Sequence, residues 1–246
     1  MPQNPSRFSP RFLMTGLMAC LLASLLIAAP EDKAPSIPMD PALEQVLERF
    51  ASAQASIETL QADFEERKNL ALLKDEVVLT GTLYHSRPLN FFWNYETPSR
   101  KQILLTSDLL VAYYPDLNKV EEVNVRRWNR RIRRYLQLGV NTEELRKDYD
   151  ISLGTPGEGD PEGTDLLVLT PQKKRKRSRL QEIRIWLHPE TGHTERITYL
   201  EKNGDVTTFS FSNIQVNAGI PETVYHIDLP EDVSMGDSFS GFAGGL

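Results

Sequence analysis

The sequence predicts a mainly β member of the α+β class: an antiparallel sheet or barrel with helices laid against it. Three observations carry this. Short apolar segments follow one another in hairpin order at turn spacings of roughly 8–12 residues, with no alternation of strands and helices. Between Asn90 and Thr97, Phe91, Trp93 and Tyr95 alternate with Phe92, Asn94 and Glu96, so a period of two puts three aromatics on one face and a mostly polar set on the other. Near the start, Leu43, Val46, Leu47, Phe50 and Ala51 recur at helical spacing, an apolar stripe that needs a partner surface.

In chain order, Arg7 and Arg11 precede an apolar run from Phe12 to Ala29, which is followed by Glu31-Asp32-Lys33. This is the form of an export signal. Residues 1–29 therefore read as a signal peptide or, because the run nears the ~18 residues that span a bilayer, as a retained signal anchor. The arginines ahead of the run place the body of the protein beyond the inner membrane. Pro30, Pro35 and Pro38 make residues 30–40 an extended tether. A helix begins with Asp40 as N-cap and Pro41 in the first position.

Leu60, Ala62 and Phe64 start the first strand, which is expected to end in a charged turn at Glu66–Asn69. Five further strands are predicted at Val77–Ser86, Asn90–Thr97, Lys101–Ser107, Leu109–Tyr114 and Lys119–Val125. In the arginine-rich stretch that follows, Trp128, Ile132, Tyr135 and Leu136 fall on one helical face. A short helix is expected over Thr142–Lys147, capped by Asn141. Strands resume at Tyr149–Leu153, Asp165–Thr170, Leu180–His188 and His193–Leu200. Asn203-Gly204 then signals a hairpin into Val206–Phe211, and Val224–Leu229 is the last strand expected. The folded body thus spans 41–233, and residues 234–246, rich in Gly and Ser, are expected to form a loose tail.

Composition narrows the function. A net charge of −6 excludes a globally basic nucleic-acid binder, and no nucleic-acid partner is expected. The basic run Lys173–Arg179 reads as a solvated turn or as a contact for anionic lipid or an acidic partner. Cys20 is the single cysteine and lies in the apolar run, so the body has no internal disulfide and no thiolate ligand for a metal. His85, His188, His193 and His226 are scattered, and HExxH, GxSxG and glycine-rich phosphate loops are missing. Binding is expected here, not catalysis, with no metal and no cofactor.

The order Gly81, Arg87-Pro88, Phe91, Trp93, Pro98, Ser107-Asp108, Tyr114-Pro115 and Val120, with Leu169-Thr170-Pro171 further on, resembles the periplasmic lipoprotein-carrier family, LolA and its relatives. It departs where Asp108 is followed by Leu109, a place where family members usually carry glycine. The resemblance implies an incomplete antiparallel barrel, a half-barrel, whose helical lid covers an apolar cavity that accepts acyl chains. Phe91, Trp93, Tyr95, Leu83, Leu47 and Phe50 are the candidate cavity residues, with Tyr135, Leu136 and Leu138 on the lid. Arg87 matches the arginine that latches the lid; a guanidinium offers five donors and keeps its charge, so it must find acceptors.

The function implied is that of a monomeric periplasmic carrier. It would take lipoprotein acyl chains, or a related amphiphile, from an inner-membrane donor complex to an outer-membrane acceptor. Two rivals stand beside it: a membrane-tethered regulatory domain that senses lipid or lipoprotein, and an exported hydrolase, for which the sequence offers no trio of nucleophile, base and orienter.

Overall fold

In the computed structural model, residues 40–126, 142–172 and 180–236 are described. Helix α1 (Pro41–Ser56) leads into β1 (Thr59–Asn69), β2 (Val77–Ser86), β3 (Asn90–Thr97), β4 (Lys101–Leu105), β5 (Leu109–Tyr114) and β6 (Lys119–Asn124). Helix α2 (Thr142–Asp148) precedes β7 (Tyr149–Gly154), β8 (Asp165–Pro171), β9 (Leu180–Leu187), β10 (Thr194–Glu201), β11 (Val206–Val216) and β12 (Ser234–Met235). All twelve strands form one sheet in the order β12-β6-β5-β4-β3-β2-β1-β11-β10-β9-β8-β7. Two meanders, β1 to β6 and β7 to β11, are thus stitched together where β11 pairs with β1. Every pairing is antiparallel except that of β12 with β6. Since β7 and β12 stand at opposite edges, the barrel does not close.

Local chemistry accounts for most boundaries. The Asp40 carboxylate accepts from the Ala42 N–H at 2.9 Å, satisfying one of the orphan donors at the start of α1. Strand β1 outruns its expected end: Glu66–Asn69 stay extended because they pair with Val206–Phe209 on one side and Glu66–Lys68 with Val77–Leu79 on the other. A ladder satisfied on both edges outweighs the low strand preference of charged residues. Strand β4 stops at Leu105, since the Thr106 N–H donates to Leu109 O at 2.8 Å while Thr106 Oγ1 accepts from Leu109 N at 3.1 Å. This tight turn, held also by Arg126 Nε on Asp108 Oδ1 at 2.9 Å, sits where Leu109 follows Asp108 directly.

Two expectations about the C-terminal part are corrected. Val224–Leu229 is not a strand: Glu222–Tyr225 forms a 3-10 turn between Pro221 and Pro230 that packs on β3, where Phe92 is buried. Prolines at both ends remove the donors a ladder would need. The place beside β6 goes instead to Ser234 and Met235, expected in a loose tail, with Ser234 N donating to Asn118 O at 2.9 Å and Gly236 N to Val120 O at 2.8 Å.

Cross-strand registers put the apolar side chains of both meanders on one continuous face, here called inner. Two clusters occupy it. In the first, Leu43, Val46, Leu47 and Phe50 of α1 and Leu145 of α2 pack on Leu167, Leu169, Ile183, Ile185 and Leu187. Arg49 clamps the helix to Asp165 at 2.5 Å, and Arg146 pairs with Glu44. The β9–β10 turn tucks under α1 so closely that a Cβ at Gly192 would lie 2.7 Å from Arg49 O, at a φ of +71° that favours glycine in any case. The second cluster gathers Phe64, Leu83, Leu89, Phe91, Tyr95, Ile103, Leu105, Leu110, Ala112 and Val125 on the β1–β6 half.

Candidate functional site

The second cluster carries the aromatic stripe. Phe91 and Trp93 stack at 5.4 Å between ring centroids, and His85 stacks on Phe91 at 4.1 Å. Leu83 stands directly across from Trp93 on β2, and Ile103 across from it on β4. Phe64 meets Tyr95 edge-on at 4.9 Å, an arrangement aromatic quadrupoles favour. Gly81 lies between them in the register and leaves the room for that contact. Phe209 and Phe211 continue the aromatic surface onto β11, stacked at 6.4 Å. Phe91 and Tyr95 are buried, whereas Trp93 is only half-buried. Burial lowers the His85 pKa from the usual imidazole range; because the Asn90 carbonyl only accepts, the 2.9 Å contact assigns the ring proton to Nδ1.

The structure brings together Leu83, Phe91, Trp93 and Tyr95 but not Leu47 and Phe50. Those two belong to the first cluster, 2% and 0% exposed, and join α1 to β8 and β9 as solid packing. A helical stripe at core spacing cannot say which half of a twelve-stranded sheet it will cover. Tyr135, Leu136 and Leu138, expected on the lid, lie outside the described residues, as do residues 1–39, the run 173–179 and the tail from 237.

Arg87 finds the carbonyls at the end of α1. Its Nε donates to Ile57 O at 2.6 Å, and Nη2 to Gln54 O at 3.1 Å and Ala55 O at 2.8 Å. These are C-terminal carbonyls with no partner inside the helix, and a cation there also complements the helix dipole. From the turn after β2 the guanidinium therefore ties α1 to the β1–β6 half of the sheet. Arg87→Leu is expected to lower stability by about 2 kcal/mol, since charge-assisted bonds to three acceptors are lost. Urea denaturation followed by far-UV circular dichroism checks this, and an unchanged midpoint would remove the anchoring role.

Sequence inspection missed a polar strip at one end of the same inner face. Lys101 lies opposite Tyr95 in the register and sets its ammonium 4.1 Å from the centre of that ring. Glu66, 4% exposed, pairs with Lys68 at 3.0 Å, and Glu121, fully buried, pairs with Lys119 at 2.7 Å and accepts from the Tyr114 hydroxyl at 3.3 Å. Burial first, then the neighbouring Glu66 charge, pushes the Tyr95 phenol up. The period of two that singled out Phe91, Trp93 and Tyr95 also sends Lys101, Ile103 and Leu105 inward, so the signal was present in β4.

On the opposite face a polar cleft of about 440 Å³ is lined by Glu65, Arg67, Glu76, Arg196 and Ser210 among others. Arg196 Nη1 there donates to Gly159 O at 3.0 Å and Asp160 Oδ1 at 3.2 Å, which fixes the β7–β8 loop over β10. Among the described residues no three metal-ligating side chains gather, and no helix is long and apolar enough to cross a membrane.

A family model described as "Outer membrane lipoprotein carrier protein LolA" matches residues 55–228. The chain belongs to the LolA family. Curated relatives called outer-membrane lipoprotein carrier protein include one from Chromohalobacter salexigens, 26% identical over 75% of this chain and 83% of its own length. Another, from Ralstonia nicotianae, is 24% identical over 75% and 84%. Among solved structures, an uncharacterized conserved protein from Thermus thermophilus superposes with a TM-score of 0.50 at 13% identity, covering 79% of this chain and 98% of that one. That likeness is one of fold alone.

Proposed function

We propose that this LolA-family protein is a periplasmic carrier that holds the acyl chains of lipoproteins, or of a related amphiphile, against the aromatic half of its inner face. In this reading Leu83, Phe91, Trp93 and Tyr95 contact the chains, and residues around Tyr135, Leu136 and Leu138 cover them. The observation that carries the proposal is the stripe itself: Phe91 and Trp93 stacked on the inner face of a sheet that does not close, with Trp93 left half-buried. An open sheet can part from its cover and release a ligand without breaking a ladder.

Magnitudes favour reversible holding. Each methylene removed from water contributes about 0.8 kcal/mol, so several chains would sum past the practical affinity ceiling of roughly 20 kcal/mol. Chains arriving from a membrane are already in apolar surroundings, however, so net binding stays modest. A carrier that must hand its cargo from an inner-membrane donor to an outer-membrane acceptor requires that.

Trp93→Glu places a charge among stacked rings and is expected to weaken uptake of a fluorescent acyl probe at least tenfold. The variant is expected to fold, because Trp93 is one partly buried neighbour of a cluster otherwise built from buried residues such as Phe64, Leu83, Ile103 and Leu105. Native uptake by a folded Trp93→Glu protein would refute the assignment of this face.

A further inference from the structure

Among the described residues, the polar strip that ends the aromatic face holds one cation more than its carboxylates: Glu66 and Lys68 on β1, Lys101 on β4, and Lys119 and Glu121 on β6. Four of them form two ion pairs, Glu66–Lys68 and Lys119–Glu121, which leaves Lys101 over. Among the described residues Lys101 has no carboxylate within ion-pair distance; its contact is the face of Tyr95 at 4.1 Å. A half-buried ammonium whose nearest partner is a ring, with the Glu66 carboxylate acting from beyond ion-pair distance, recovers only part of the hydration it gave up. Burial, with Lys68 nearby, accordingly lowers the Lys101 pKa from the usual lysine range, while Glu66 acts in the opposite direction.

Position makes this charge informative. Lys101, Ile103 and Leu105 point the same way as Tyr95, Trp93 and Phe91, their cross-strand partners. A chain laid along the stripe from Phe91 past Trp93 therefore ends at Lys101. Two of the neighbouring groups, the Tyr114 hydroxyl and Lys119, are cross-strand partners of each other on β5 and β6.

We propose that the cargo is an anionic amphiphile whose acidic head group, a carboxylate or a phosphate, seats on Lys101 with its acyl chain along Trp93 and Phe91. This rests on the acyl-chain reading above and, of the two cargo classes named there, selects the related amphiphile. An acid there would complete the third ion pair of the strip, whereas a neutral head would leave the cation unanswered.

The test is competition against a bound neutral acyl probe by chain-matched ligands: a fatty acid, its methyl ester, phosphatidylglycerol and diacylglycerol, each on native protein, Lys101→Gln and Lys101→Arg. Native protein is expected to prefer the acids over their neutral counterparts by tenfold or more. Lys101→Gln should bring that ratio close to one while keeping the affinity for the methyl ester, and Lys101→Arg should retain it. Preference for the fatty acid assigns a carboxylate head, and preference for phosphatidylglycerol a phosphodiester. Equal binding of acids and neutral ligands by native protein, or a ratio untouched in Lys101→Gln, would overturn the proposal. Failure of every ligand to compete would overturn the acyl-chain reading itself, and the two failures are thereby told apart.

Discussion

Phe50→Ala is expected to destabilise the protein by about 4 kcal/mol, the middle of the range for truncating a buried aromatic. Phe50 is 0% exposed and is wedged between α1 and the β8–β9 pair beside Leu47, Leu167 and Ile185. The loss combines the transfer free energy of the ring with the cavity left where a helix backbone and a sheet cannot collapse together. For a domain of this size the melting temperature should fall by about 10 °C. Phe50→Leu, which keeps most of the volume, should cost about 1 kcal/mol. A drop of less than about 1 kcal/mol for the alanine variant would show that α1 does not cover the β8–β9 half as described.

Gly81→Val is expected to cost about 3 kcal/mol, at the upper end of overpacking effects. The position lies at an irregularity in the β2–β3 ladder between Thr80 and Gly81, and a Cβ there would come 2.1 Å from Asn94 O and 2.9 Å from Tyr95 Cα. Backbone atoms cannot step aside as a flexible side chain can, so β2 and β3 must part and Phe64 loses its edge contact with Tyr95. The effect should appear both in denaturant midpoint and in the near-ultraviolet circular dichroism of the aromatic cluster. Preservation of both would mean the two strands are not held in this register.

The strands were legible because their alternation and turn chemistry agree. The Asn203-Gly204 hairpin, the Asp40 cap and the β2–β5 meander all follow from local residue types. What local pattern could not supply was the pairing of β11 with β1, a contact between residues 150 apart such as Asp63 and Asn213, whose side chains meet at 2.7 Å. That pairing extends β1 through Asn69 and lengthens β11 to Val216. For the candidate site, the stripe Phe91-Trp93-Tyr95 was visible as a period of two. The separation of Leu47 and Phe50 from it was not, because an amphipathic helix announces a buried face without naming its partner. Lys101 went unremarked for a different reason: a lysine at a strand start reads as solvated until its cross-strand partner, Tyr95, is known to be buried.

The central claim is that acyl chains lie against Trp93. It is tested most directly by tryptophan quenching in a Trp128→Phe, Trp186→Phe variant, where Trp93 is the one indole remaining. Titration with fatty acids brominated along the chain should quench most of the Trp93 emission saturably, and unbrominated acids should compete it back. Emission that stays constant while the brominated ligand demonstrably binds would place the chains elsewhere and contradict the account.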